Sequence, residues 1–581
     1  MARFGHFLDE NGRSAFRLFA PGKREVAVRL TESGRALALA PDALGYWSGT
    51  FDRLAEGTRY LIELDGRRVP DIASRRQPDG VHGASAVATP HKASSPGWRG
   101  VRIEDAIIYE LHIGTFTPEG TLAAARRKLA HLSELGITAV ELMPLAAFPG
   151  RRNWGYDGTY LFALHADYGD YVDLKAFIEQ AHALGMAVLL DVVYNHFGPE
   201  GNYAGVYGPY TKAAATPWGA AINFDGAHNH GVREFFLENA RYWLQDVGFD
   251  GFRMDAVSMV FDVMPAHILR QITDLARAIG GAEGREVLVI AEHLRNNKRV
   301  TAEGGFNYHS QWTDDVNYAV FARLTGETAR HYVNFGSFED VVKALDEGFV
   351  LDGTRFDKYH RYLLGTDGRD MLGTEHVVHL QNHDQVGNRA LGDRMIATYG
   401  RDKALLGLTA VFATRFVPML WMGEEYGERA PFLFFEDFSD QAIIDGAREG
   451  RRADYDFGGA EPDDPHALAT FEKSRLRWEQ RDTKEGQSIL RYVKALIALK
   501  RAGELGPRVG CDGVRVRGDA QSELVFIETP HTLTVLNFSG QPRQVAPPSG
   551  WTLALESGCV GERGEMPANA AAIYRRVRSS S

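Results

Sequence analysis

Gly251-Phe252-Arg253-Met254-Asp255 sets an arginine and an aspartate two residues apart at the close of a short apolar run. Residues two apart in an extended segment point to the same face, so the two charged side chains emerge together. Two further runs end in an acid: Val289-Ile290-Ala291-Glu292 and Leu380-Gln381-Asn382-His383-Asp384. Such runs, bounded by loops, read as strands buried on both faces, as in a parallel sheet. An acid just past a strand of that kind stands where a parallel barrel opens onto ligand. A lone aspartate there reads as a turn or a helix cap. Three acids, each with His or Arg nearby, read as chemistry.

Working outward, the runs fall into a strand–loop–helix rhythm. The expected strands are Ile107-Ile108-Tyr109-Glu110-Leu111, Ala139-Val140-Glu141-Leu142, Ala187-Val188-Leu189-Leu190-Asp191-Val192 and Gly251-Phe252-Arg253. Val287-Leu288-Val289-Ile290, a weaker segment near His309-Ser310-Gln311-Trp312, Val377-Val378-His379-Leu380 and Val417-Pro418-Met419-Leu420-Trp421 complete the series. Helical periodicity lies between most of them, as at residues 122–135, 174–184 and 232–244, and residues 489–499 read as the last helix. Eight strands alternating with helices predict an α/β fold, a (β/α)8 TIM barrel, with long loops after the third and sixth strands. A doubly wound open sheet would bring a glycine-rich phosphate turn after its first strand, and none is present.

Both flanks read differently. Phe16-Arg17-Leu18-Phe19-Ala20, Glu25-Val26-Ala27-Val28-Arg29-Leu30, Tyr46-Trp47-Ser48-Gly49-Thr50-Phe51 and Tyr60-Leu61-Ile62-Glu63-Leu64 alternate with period two between turns. They predict an N-terminal β-sandwich domain over residues 1–98, closed by a Ser/Pro/Gly-rich linker at 91–100. The barrel is expected over 99–505. A C-terminal β-domain over 506–581 follows, on segments such as Val514-Arg515-Val516 and Thr532-Leu533-Thr534-Val535-Leu536.

The net charge of −11, spread along the 581 residues, argues against nucleic acid as the main partner and suits a neutral ligand such as a sugar. Two cysteines, Cys511 and Cys559, fit free thiols in a reducing compartment better than a disulfide. The N-terminus carries no apolar leader and no stretch reaches the length of a membrane span, so a cytoplasmic protein without a membrane partner is expected, as a monomer or homodimer.

Two carboxyls flanking a bond between sugars are what glycoside hydrolysis requires, one as nucleophile and one as general acid. Arg253 beside Asp255 favours the ionised carboxylate that a nucleophile needs. Glu292 follows apolar residues, and burial there favours the protonated form that a general acid needs. His383-Asp384 supplies a third carboxylate with a donor beside it, fit to hold sugar hydroxyls and brace a positively charged transition state. His228-Asn229-His230 lacks a third ligand and no Asp-rich loop occurs, so no metal site and no cofactor are expected.

In order along the chain, residues 191–196, residues 251–257, Ala291-Glu292 and Asn382-His383-Asp384 resemble the four short motifs of the α-amylase family, glycoside hydrolase family 13. The resemblance implies a retaining double displacement with Asp255 as nucleophile, Glu292 as acid/base and Asp384 as transition-state stabiliser. It further implies that Asp191, His196, Arg253 and His383 line the −1 sugar subsite, that Tyr156 stacks on that sugar, and that Trp154 and Asp315 join the substrate-binding set. Residues 109–120, 154–158, 381–389 and 422–427 resemble one branch of that family. That likeness implies an α-glucan or maltooligosyltrehalose substrate, cut at the α-1,4 bond beside a terminal trehalose unit.

Three departures from that branch stand just past catalytic strands: Ser258 in place of His, His293-Leu294-Arg295-Asn296-Asn297 in place of a more acidic stretch, and Val316-Asn317-Tyr318 in place of Phe-His-His. They predict an altered leaving-group side. The alternative within the family is a branching, debranching or transglycosylating enzyme. A non-catalytic sugar-binding relative would have lost a catalytic carboxylate, and all three are present.

Overall fold

The computed structural model describes residues 3–454, 460–506, 513–546, 549–561 and 564–577. At its centre eight parallel strands close into a barrel: β1 (Ile108–Leu111), β2 (Ala139–Leu142), β3 (Ala187–Val192), β4 (Gly251–Met254), β5 (Leu288–Glu292), β6 (Ser310–Trp312), β7 (His376–His379) and β8 (Val417–Trp421). β8 pairs back onto β1, so no edge is left open. Every residue of β1 to β8 is buried, which is why these strands read as apolar runs rather than as alternating ones.

The two smallest residues at contact points show how close the layers lie. A Cβ on Gly251 would stand 2.0 Å from the Leu288 carbonyl oxygen of the neighbouring strand. A Cβ on Gly231 would meet the Phe19 ring at 2.3 Å. The second contact is where the helix Asn229–Arg241 packs against the N-terminal sheets, with Phe235 edge-on to Phe4 and Tyr210 edge-on to Phe19.

The N-terminal strands form two sheets. Gly5–Leu8, Ser14–Phe19, Tyr46–Phe51 and Ala40–Pro41 make one; Ala36–Ala38, Val26–Leu30, Arg59–Leu64 and Arg67–Val69 make the other, with Ser85–Ala86 added. Beyond the barrel, Arg515–Asp519, Leu524–Glu528, Thr532–Asn537, Ala571–Arg576 and Trp551–Glu556 form a five-stranded antiparallel sheet. Cys559 is exposed and free, whereas Cys511 lies outside the described residues.

The fold class predicted from the sequence is the one observed. Differences are local. The helix expected over 122–135 is broken into Leu122–Arg126 and Leu129–Leu135. The helix predicted over 232–244 starts earlier, at Asn229, and passes at Tyr242 into a π-helical stretch to Val247. The long loops after the third and sixth strands carry short hairpins of their own, Thr211–Thr216 with Gly219–Ile222 and Phe356–Asp357 with Tyr362–Leu363. No helix among the described residues is long and apolar enough to cross a membrane.

Candidate active site

A cavity of about 1220 Å³ opens above the carboxyl ends of the strands, and Trp154, Tyr156, His196, Asp255, Glu292, His383 and Asp384 line it. These residues come from distant points in the chain and meet because each ends a barrel strand or lies in the loop after one. Asp191 and Arg253 lie behind that wall, 2% and 0% exposed.

Arg253 organises the floor. It stands beside Asp191 in the register of β3 and β4. Its Nη1 donates to both Asp191 oxygens, at 2.9 and 2.8 Å, and to Asp255 Oδ1 at 2.9 Å. Its Nη2 donates to Glu292 Oε2 at 2.7 Å. The guanidinium lies 4.2 Å from the Trp312 ring centroid, over an aromatic face. One buried cation therefore faces three carboxyls, an arrangement that favours protonation of one of them. That one is Glu292. Burial holds its carboxyl well above the usual carboxylate range, and the negative charges of Asp255 and Asp384 reinforce burial against the opposing pull of Arg253. Burial likewise raises Asp191 to about 6, with Arg253 opposing.

Backbone geometry completes the Glu292 pocket. Ala256, directly after Asp255, adopts φ 39°, the left-handed region that a residue with a Cβ avoids. This turn aims the Ala256 N–H at Glu292 Oε2, 2.9 Å away. Strain of this kind persists where surroundings over-determine it. Asp255 is held from its other side by the Asn195 amide, which donates to Oδ2 at 2.7 Å and to the Asp255 carbonyl at 3.0 Å. The Tyr156 hydroxyl donates to Asp191 Oδ2 at 2.6 Å, and its ring stacks on His383 with centroids 5.0 Å apart. His196 bonds the Asn195 amide oxygen and the Tyr156 carbonyl, and the Trp218 ring stacks over it.

His383 sits between two acids. Its Nδ1 lies 2.5 Å from Glu110 Oε1, its backbone N–H donates to Glu110 Oε2 at 3.1 Å, and its Nε2 lies 3.5 Å from Asp384 Oδ1. Burial alone would strip the proton from this ring, yet Glu110 and Asp384 outweigh it and push the imidazole up to about 9. Asp384 also accepts from Asn388 Nδ2 at 3.0 Å. Trp154 stands edge-on to His383, stacks on Phe432, and donates its indole N–H to the Leu433 carbonyl.

Asp315 does not join this group. Its Oδ2 accepts the backbone N–H of Val350 at 2.7 Å and of Leu351 at 2.8 Å, and the Asn296 amide at 2.8 Å. It pins the loop after the helix Phe338–Glu347. Helical geometry turns adjacent residues about 100° apart, so of the pair Asp314-Asp315 it is Asp314 that lines the cavity. Burial and the nearby Asp384 raise Asp314 to about 7. The departures divide in the same way. Leu294 and Tyr318 line the cavity, whereas Val316 is fully buried and Asn317 donates its amide to the Leu380 carbonyl inside the fold.

Sequence reasoning did not single out Glu110, Asn195, Asp314 or Trp218. Glu110 carried a weaker signal, an acid inside an apolar strand pattern rather than at its end. Trp218 sits on a hairpin in a loop and no periodicity marks it. Among the described residues no group of three or more His, Cys, Asp or Glu side chains is arranged to hold a metal ion.

Known proteins resemble this chain over most of its length. Residues 77–208 match the model of the alpha-amylase catalytic domain. The chain is 42% identical to malto-oligosyltrehalose trehalohydrolase of Saccharolobus solfataricus, over 86% of this chain and 87% of that one. It is 35% identical to the protein of the same name from Mycobacterium tuberculosis, over 96% of this chain and 99% of that one. Among solved structures, a putative alpha amylase from Salmonella typhimurium superposes with a TM-score of 0.90 at 34% identity, covering 99% of this chain and 100% of that one.

Proposed function

Since the chain belongs to the malto-oligosyltrehalose trehalohydrolase family, within the α-amylase fold family, we propose that it cleaves the α-1,4 bond beside the terminal trehalose of maltooligosyltrehalose. Trehalose and a maltooligosaccharide are released, with retention of anomeric configuration. The observation that carries the reading is the Arg253 fork, with Asp255 on one arm and a protonated Glu292 on the other.

The chemistry follows from those protonation states. Both bonds to Glu292 fall on Oε2, so Oε1 serves as the proton-bearing atom. Glu292 delivers that proton to the glycosidic oxygen as the bond to C1 breaks, and Asp255 closes on C1 to form a glycosyl ester. Glu292, now a carboxylate, then takes a proton from water, whose oxygen attacks C1 and frees Asp255. Asp384 braces the positive charge that the sugar ring develops in the transition state of each step, while the imidazolium of His383 serves as a donor to a sugar hydroxyl. Tyr156 and Trp154 offer apolar faces to the ring, and Asp191, His196 and Arg253 hold the acids and the ring in place. The reaction needs only water and the chain's own carboxyls. The acidic net charge argues against nucleic acid as a partner, and we further propose that the protein works in the cytoplasm, without a membrane partner, as a monomer or homodimer.

The test is product identification. Incubation with maltotriosyltrehalose is expected to yield trehalose and maltotriose, with slower release from plain maltooligosaccharides. Branched products, or no preference for the trehalose-ended substrate, would move the chain to another activity of the family.

A further inference from the structure

Four of the large apolar side chains exposed among the described residues fall within eight positions: Phe356, Tyr359, Tyr362 and Leu363. They belong to the small hairpin in the loop between β6 and β7. Solvent-exposed aromatics concentrated on one short element call for an occupant. The hairpin is also stiff. Asp357, 1% exposed, accepts the backbone N–H groups of Tyr359 and His360 at 2.8 and 3.2 Å, the His360 ring at 2.6 Å and the Asn334 amide at 2.7 Å. Asn334 in turn accepts the Lys358 N–H at 2.7 Å. The tip is thereby tied to the 3-10 turn Arg330–Asn334, and its aromatics are held ready rather than left to wander.

The rings run on from the cleft. Tyr318 and His331, both in the cavity wall, stack at 5.4 Å with planes 10° apart. His331 lies 4.5 Å from Tyr359 and 5.3 Å from His360, and His360 lies 5.7 Å from Tyr362. Flat apolar faces interleaved with ring nitrogens and hydroxyls suit pyranose rings, which are apolar on their faces and hydroxylated at their edges. We propose that Tyr359, His360 and Tyr362 form a glucan-binding platform that continues the leaving-group end of the cleft and takes α-1,4-linked chains that run on past it, as those of starch do. The occupant rests on the substrate class proposed above. Phe356 and Leu363 pair across the hairpin, on the face opposite the Asp357–Tyr362 pair, and provide an internal control.

The experiment uses the full chain. Soluble starch in a native gel retards the migration of a protein that binds it, and retardation against starch concentration gives a dissociation constant. Tyr359→Ala with Tyr362→Ala is expected to weaken that constant about tenfold. In the same variant kcat/KM on maltotriosyltrehalose should stay within about twofold, because that substrate ends in its trehalose unit on the leaving-group side and does not run on to the platform. Leu363→Ala should leave both values unchanged. Undiminished starch binding in the tyrosine variant, or equal weakening by Leu363→Ala, would overturn the platform. A wild-type protein that binds starch but releases no trehalose would sink the proposed activity and leave the platform standing.

Discussion

Glu110 grips both the ring and the backbone of His383, with Oε1 2.5 Å from Nδ1 and Oε2 3.1 Å from the backbone nitrogen. The bidentate hold fixes the ring's orientation and keeps it charged against a burial that would otherwise neutralise it. The strongest charges acting on the ring are Glu110 and Asp384, which raise its pKa, and Arg253, which lowers it; Glu141, Asp191 and Asp314 also interact with it. Glu110→Gln removes the nearest negative charge and keeps the shape. The His383 pKa, pushed up to about 9 in the native protein, then falls, because desolvation and Arg253 are less opposed. The alkaline arm of kcat/KM against pH should move acidward by about one unit or more. Superimposable profiles would show that His383 needs no charge.

Asp255→Asn should cut turnover by about 10³-fold or more, since an amide does not form the glycosyl ester. The fold should survive. Arg253 and Asn195 both donate to Asp255 in the native protein, and the asparagine oxygen serves only one of them. The cost is about 1–3 kcal/mol, read as a modest fall in the melting temperature. Turnover near the native rate in well-purified variant would remove Asp255 from the nucleophile's role.

Glu292→Gln tests the proton. The glutamine carbonyl can still accept from Arg253 Nη2 and the Ala256 N–H, so the pocket keeps its shape. Natural substrates, whose leaving oxygen needs protonation, should lose about 10²–10⁴-fold in kcat. An aryl glycoside with an acidic leaving phenol should lose far less in the first step. Equal losses on both substrates would assign Glu292 another duty.

Glu141 presents a different case. Its carboxyl lies in the barrel interior, and neither oxygen has a hydrogen-bond partner among the described residues. Burial holds it well above its ordinary 4.5, with Glu110 and Asp191 adding to the effect. A carboxyl whose folded pKa exceeds its unfolded one favours the folded state fully below the unfolded pKa and progressively less as pH rises toward the folded one. Glu141→Gln removes that titration. Variant and native protein should differ least near pH 4, and the variant should gain relative stability as the pH is raised above it. A gap in melting temperature independent of pH would show that Glu141 does not titrate with folding.

Much of the architecture was legible because the barrel is a repeat of one unit whose strands are buried on both faces. Such strands announce themselves as apolar runs, and β2, β3 and β8 run over the residues expected. The acids at strand ends were legible for the same reason, since a charge breaks an apolar run. What escaped was what depends on three-dimensional neighbours. Asp314 and Asp315 are indistinguishable in sequence, and only the start of a helix decides which faces the cleft and which ties down residues 350 and 351. Glu110 reads as one more strand acid until β7 brings His383 against it. Trp218 and the aromatic hairpin lie in loops, where no periodicity says which way a ring points.

That distinction narrows the expectation placed on the three departures. Tyr318 and Leu294 face the cleft, so they can touch the leaving group. Val316 is fully buried and Asn317 gives its amide to the Leu380 carbonyl, just ahead of Asn382-His383-Asp384. Ser258 Oγ is buried without a hydrogen-bond partner among the described residues. Tyr318→His should therefore change the ratio of kcat/KM for maltooligosyltrehalose over plain maltooligosaccharide by about ten- to a hundredfold, because one hydrogen bond to a desolvated hydroxyl is worth about 1–3 kcal/mol in the transition state. Trehalose presents a 1,1-linked pair with no free anomeric hydroxyl, so a ring nitrogen in place of a phenol meets a different set of oxygens. Asn317→His, in contrast, removes a buried bond and overfills its site. It should cost about 1–3 kcal/mol of stability and leave the ratio unchanged in the protein that still folds. The two variants, compared by melting temperature and by product ratio, separate a residue that chooses the substrate from one that holds up the wall behind it. A ratio that moves with Asn317 and not with Tyr318 would reverse the assignment.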